Sequence, residues 1–163
     1  MKINIKDLII LQKKLDKQIY LKHNIDSKKI IHKKKLALIV ELCEMINVNK
    51  CFKFWSLNKN IDRLKLGDEF IDCLHFILSL SIDFKMENYE FEINEFIMND
   101  DQLTYHILGL IENVNFIDDS IKCEQFIIKL LELSTTFGFS KEDIFIFYNN
   151  KNKENILRQK KDY

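Results

Sequence analysis

The sequence predicts an all-α fold, one bundle of five to six helices spanning residues 1–163 as a single domain. Three observations carry this. The chain has no proline and only three glycines, Gly67, Gly109 and Gly138, too few for the tight turns of an all-β protein. Apolar residues recur at three- and four-residue spacing over long stretches. Ser and Asp stand where helix starts are expected.

The first helix is expected from about Ile5 to Lys22, with Leu8, Leu11, Leu15 and Ile19 on one stripe. The second starts near Asp26 or Ser27 as cap and runs to about Asn49. A loop holds Cys51 to Asn60, and a third helix spans roughly Asp62 to Phe84. A less regular acidic stretch comes next. The fourth and fifth helices fall near Asp101–Val114 and Ser120–Thr136. The last is capped by Ser140, with Asp143 in a capping-box position, and ends near Arg158.

Composition narrows the function classes. There are 25 Lys and Arg against 25 Asp and Glu, so zero net charge gives no signal for nucleic-acid binding. No apolar run approaches the roughly 18 residues of a membrane span; Phe70–Phe84 is broken by Asp72, His75 and Asp83. The opening Met1-Lys2-Ile3-Asn4 lacks a signal-peptide apolar segment, so the expectation is a cytoplasmic protein. Cys43, Cys51, Cys73 and Cys123 form no CxxC or zinc pattern and read as free thiols. There are 25 Ile and 15 Asn but one Ala and two Arg, the codon bias of an A/T-rich bacterium or its phage. Charge is segregated: residues 1–35 hold eleven Lys against three acids, and residues 86–120 hold nine acids and no Lys or Arg. Such poles serve as solvated faces, pair between subunits or bracket an anion.

Acid placement is the informative feature. Glu41 and Glu44 are three apart on the second helix, on the face read as carrying Ile30, Ala37, Leu38, Met45 and Val48. Glu69 and Asp72 repeat the spacing on the third, on the stripe of Leu66, Cys73, Phe76 and Leu80. Packing the two stripes together crowds four carboxylates at low dielectric, which is unfavourable without compensation. Hard divalent cations relieve it, and an oxygen-only ligand set selects Mg²⁺ or Mn²⁺, ions that keep waters and accept phosphate oxygens. The deduction is a Mg²⁺–polyphosphate site inside a helical bundle.

The pairs Glu41/Glu44 and Glu69/Asp72 resemble the signature of the all-α nucleoside triphosphate pyrophosphatases. Three further segments resemble the dimeric dUTPases within that superfamily: Leu11-Gln12-Lys-Lys-Leu15-Asp16, then Cys51-Phe-Lys53-Phe-Trp55-Ser56 with Asp72-Cys-Leu-His75-Phe76, then the tail from Tyr148 to Tyr163. The resemblance spans nearly the whole chain and is weakest across about 86–120. It implies hydrolysis of dUTP, and of dUDP, to dUMP with release of pyrophosphate or phosphate. In that reading Glu41, Glu44, Glu69 and Asp72 hold Mg²⁺, with Glu44 the candidate base for the attacking water. Trp55 falls at the uracil pocket, and His75 lines the nucleoside pocket. Phe76 falls near the deoxyribose, where core packing serves equally well. Gln12 and Asp16 share a face of the first helix toward the base, although the family more often has Asn at Asp16. The tail closes over substrate: Lys151 and Arg158 contact phosphate, Asn152 and Asn155 base or sugar, and Tyr163 is a late contact. Lys53 and Lys59 are further phosphate candidates. The resemblance also implies a homodimer and, for phage members, binding to a bacterial repressor. A MazG-like or dCTP-directed pyrophosphatase would carry the same metal chemistry, and a non-catalytic helical interaction protein would keep the dimer surface alone.

Overall fold

The computed structural model describes residues 1–161. In chain order the elements are β1 (Lys2–Asn4), α1 (Lys6–His23), a 3₁₀ turn (Ser27–Ile30), α2 (Ile31–Asn49), α3 (Arg63–Asp83), β2 (Glu90–Glu92), α4 (Asp100–Val114), α5 (Ser120–Thr136) and α6 (Lys141–Lys160). The architecture is an all-α bundle with one small ribbon.

Local chemistry sets the helix starts. The Asp62 carboxylate accepts from the backbone N–H of Leu64 and Lys65, and Asp119 accepts from Lys122. Asn99 with Gln102, and Ser140 with Asp143, form reciprocal capping boxes. Each cap is worth about 1 kcal/mol. Asp26 caps as expected, but it opens a 3₁₀ turn, and α2 proper begins at Ile31.

One correction concerns strands. Lys2–Asn4 and Glu90–Glu92 pair antiparallel, with Ile3 opposite Phe91. Those two side chains are buried, while Lys2 and Glu92 form an exposed ion pair at 2.8 Å. Three residues of alternation are too short to register against helical periodicity, so sequence pattern gives no sign of the ribbon.

α3 is the central helix, with twelve of its 21 residues buried. It packs against α1, α2, α5 and α6, most extensively against α2. Phe70, Ile71, Leu74, Ile77 and Leu78 meet Leu38, Leu42 and Met45 of α2 and Leu130 and Leu131 of α5 in one apolar core. Gly67 sets the approach of α6: a Cβ there would lie 2.6 Å from the Phe147 ring. The close contact brings the middle of α6 over the first half of α3. All four cysteines are free; Cys43 is exposed and the other three are buried. Among the described residues no helix is long and apolar enough to cross a membrane.

Candidate active site

Three of the four predicted acids converge. Glu41 on α2 and Glu69 and Asp72 on α3 each offer a carboxylate oxygen, and these oxygens lie within 4.8 Å of one another. Burial, reinforced by the charges of Asp72, Glu44 and Glu69, pushes Glu41 up to about 7. Glu69 and Asp72 are also raised, first by burial and then, for Glu69, by its acidic neighbours. Like charge gathered this closely favours proton uptake or a bound counter-ion. Three oxygen donors with no His or Cys fit a hard divalent cation.

Glu44 stands differently from its expected position. The buried residues of α2 are Lys34, Leu38, Leu42, Met45, Ile46 and Asn49, so the face toward α3 excludes Glu44, which is exposed. Residues three apart on a helix diverge by roughly 60°. Glu41 therefore reaches the interface edge while Glu44 turns to solvent, close enough for its charge to act on Glu41 and Glu69.

α6 supplies a cation. Lys151 is 6% exposed, and its Nζ lies 2.6 Å from Asp72 Oδ2 and 2.7 Å from Asp68 Oδ2. Burial alone would lower this ammonium, but the two carboxylates outweigh it and hold Lys151 above its ordinary value.

Beside the acids opens a cavity of about 310 Å³, lined by residues of α1, α2, α3 and α6. Glu41 and Asp72 form its acidic end. His75, Phe76 and Ser79 continue along α3, facing Gln12, Asp16 and Tyr20 of α1. Lys34, bonded to Asp83, closes the far end. Asn155, Arg158 and Gln159 contribute the α6 wall.

A buried polar network lines one side. Gln12 Nε2 donates to Asp16 Oδ1 at 2.8 Å, and Ser79 Oγ donates to Asp16 Oδ2 at 2.7 Å. Gln12 Oε1 sits 2.7 Å from His75 Nδ1 and accepts from the Tyr148 hydroxyl at 2.7 Å. The His75 and Tyr148 rings stack at 4.3 Å. Burial, aided by the charge of Lys151, lowers His75 to about 3, so the ring is neutral. Burial raises Asp16 against the bonds it receives from Ser79 and Gln12.

Thus Gln12, Asp16, His75, Phe76, Asn155 and Arg158 line one cavity with Glu41 and Asp72, the grouping expected from sequence. Asn152 is buried on α6, and its Oδ1 has no partner among the described residues. Arg158 also pairs with Glu154 at 2.6 Å. Three loop residues lie elsewhere. Trp55 is 63% exposed, edge-on to Phe52 and Phe54. Lys53 Nζ donates to the Asn47 carbonyl, and Lys59 pairs with Asp100 at 3.0 Å. Their loop joins the end of α2 to the start of α3, at the opposite end of that helix pair from Lys34. Tyr163 lies outside the described residues.

Sequence reasoning misses Asp68, Ser79, Tyr148, Lys34 and Asp83. The available signal is polarity on a buried stripe: Ser79 lies one turn beyond His75 on the most apolar helix, and Tyr148 one turn before Lys151.

Residues 4–163 match the sequence profile of the dUTPase family. A comparison with curated proteins gave no match.

Proposed function

The chain belongs to the dUTPase family and hydrolyses dUTP, and we propose that it does so at the Glu41–Glu69–Asp72 cluster with Mg²⁺, yielding dUMP and pyrophosphate. Water adds across the bridge between the α- and β-phosphates, so one water is consumed per bond broken. By the same chemistry dUDP would yield dUMP and phosphate. The observation that carries this reading is three half-buried carboxylates of raised pKa opening into a cavity of nucleotide dimensions.

Glu41, Glu69 and Asp72 would hold the cation, with Mn²⁺ an acceptable substitute. A cation held there supplies Lewis acidity toward the phosphates and the attacking water. Glu44, outside the cluster and exposed, is free to take the proton from that water. Arg158 lines the cavity from α6 and offers a planar fork to phosphate oxygens. Lys151 places a second positive charge beside Asp72. Gln12, His75, Phe76 and Asn155 surround the space left for the nucleoside. Lys53 and Lys59, engaged elsewhere, take no part in this assignment. We also assign a homodimer, supported by exposed Phe54, Leu57, Ile61 and Leu64 along one loop and helix start; light scattering showing a monomer at micromolar concentration would count against it.

The test is a panel of dUTP, dUDP, dCTP, dTTP and UTP with Mg²⁺ or EDTA, reading pyrophosphate and phosphate separately. Release from dUTP and dUDP that disappears with EDTA, and in Glu41→Gln and Asp72→Asn, is expected. Preference for dCTP would move the chain to the dCTP-directed reading. Turnover surviving both substitutions would remove the cation from this cluster.

A further inference from the structure

An amide has two chemically different ends, and Gln12 has a different neighbour at each. The end facing Asp16 meets a carboxylate oxygen at 2.8 Å, which accepts but does not donate. Only the NH₂ group fits there. The carbonyl end is therefore turned to His75 Nδ1 and the Tyr148 hydroxyl, each at 2.7 Å. A carbonyl accepts, so both neighbours must donate: Tyr148 through its O–H and His75 through an Nδ1–H. A neutral imidazole carries one proton, and with that proton on Nδ1 the Nε2 atom keeps a lone pair. His75 is 5% exposed, lines the cavity, and its Nε2 has no partner among the described residues. An orphaned buried acceptor at a cavity wall is costly unless a ligand supplies the donor.

The position along α3 indicates which donor. His75 lies one turn beyond Asp72, about 4.5 Å along the axis, and Ser79 about 10 Å beyond it. A nucleotide with its phosphates at the acids puts its sugar at the first step and its base at the second.

We infer that Asp16 is a positioning residue: acting through the Gln12 amide, it holds His75 in the Nδ1–H tautomer, so that Nε2 accepts a hydrogen bond from the sugar 3′-hydroxyl of the bound nucleotide. The sugar contact rests on the reading of the cavity as a dUTP site; the relay itself does not. An Asn at position 16 would lift the constraint. Its own NH₂ could face the Gln12 carbonyl, turning the Gln12 NH₂ toward Nδ1 and leaving the proton on Nε2. The carboxylate at this position selects one of two otherwise self-consistent networks.

Two measurements test this. Long-range ¹H–¹⁵N correlation on the nucleotide-free protein, with the resonance assigned by its loss in His75→Gln, reads the tautomer directly. The expected result is Nδ1–H in the parent and a shift toward Nε2–H in Asp16→Asn. An Nε2–H parent, a charged ring, or an Asp16→Asn protein with the parent's tautomer would overturn the relay. The parent spectrum alone decides the first two, even if the variant fails to fold. The second measurement compares dUTP with its 2′,3′-dideoxy analogue, which keeps base and triphosphate but lacks the 3′-hydroxyl. Asp16→Asn is expected to lower kcat/KM about tenfold on dUTP, the worth of one good hydrogen bond, and less than twofold on the analogue. Equal losses on both would mark a merely structural role and overturn the sugar contact. Absence of dUTP turnover by the parent would overturn that contact together with the hydrolysis reading, and would be distinguishable because the tautomer measurement needs no nucleotide.

Discussion

Replacing Glu41 by Gln should make the cation-free protein more stable while abolishing turnover. Glu41 rises from an ordinary 4.5 to about 7 because burial and then the Asp72, Glu44 and Glu69 charges oppose its ionisation. Below about pH 4.5 the carboxyl is protonated in both folded and unfolded chains and contributes nothing differential. Between about 4.5 and 7 the folded state binds the extra proton, so stability falls as pH rises, and above 7 the full penalty is present. Without solvent screening a shift of this size would be worth about 3.4 kcal/mol. Glu41 is only half-buried, and screening reduces the expected penalty to about 1–2 kcal/mol. A neutral isostere removes it. For a domain of this size the corresponding rise in Tm is about 3–6 °C. Thermal melts in EDTA, one well below the ordinary carboxylate range and one above neutrality, are the assay. The Glu41→Gln protein should match the parent in acid and exceed it in base, and excess Mg²⁺ should raise the parent's Tm far more than the variant's. A variant equally stable or less stable in base, or a gain independent of pH, would refute the claim that these carboxylates repel one another.

The same ionisation governs cation affinity. Because the ligand form of Glu41 is the deprotonated one, apparent Mg²⁺ affinity by calorimetry should rise up to about tenfold per pH unit toward pH 7 and level off above it; a flat profile across neutrality would contradict the assignment. Gly67→Ala should cost about 1–3 kcal/mol in thermal melts, because the new Cβ would lie 2.6 Å from the Phe147 ring and push α6 outward. Trp55 is the sole tryptophan, so its emission reports on the loop. The base-facing part of the cavity runs from Asp72 toward Ser79 and Lys34, away from this loop, so saturating dUMP with Mg²⁺ should leave the emission unchanged, and a blue shift would return Trp55 to base recognition.

The fold is more fully legible in the sequence than the site. Helix starts can be read because caps are local: Asp62, Asp119 and the Ser140–Asp143 box each act within three residues. The Ile3–Phe91 ribbon joins segments far apart in the chain and leaves no local period. In the site, the Glu69–Asp72 pair is readable because α3 is the more deeply buried helix and both acids sit at the edge of its wide apolar face. α2 is half-wet, and there a roughly 60° divergence separates Glu41 from Glu44. Trp55, Lys53 and Lys59 lie in a loop, where no periodicity links residue spacing to direction. The Asp16–Gln12–His75–Tyr148 chain crosses three helices, and single-helix patterns reveal the presence of buried polar groups but not their pairing.

The division of labour among the helices comes from this geometry. The acids come from α2 and α3, the most extensively packed pair, so their oxygens are held by a rigid core and their repulsion is built in. The other groups lining the cavity come from α1, from the continuation of α3 and from α6, and α1 and α6 dock on α3 and meet at Gln12 and Tyr148. Lys151 links the two sets, because the helix that carries the cavity wall also neutralises Asp72. On the proposed assignment, a shift of α6 would therefore alter both the nucleoside wall and the charge at the cation-binding acids, which would couple recognition to chemistry through a single rigid element.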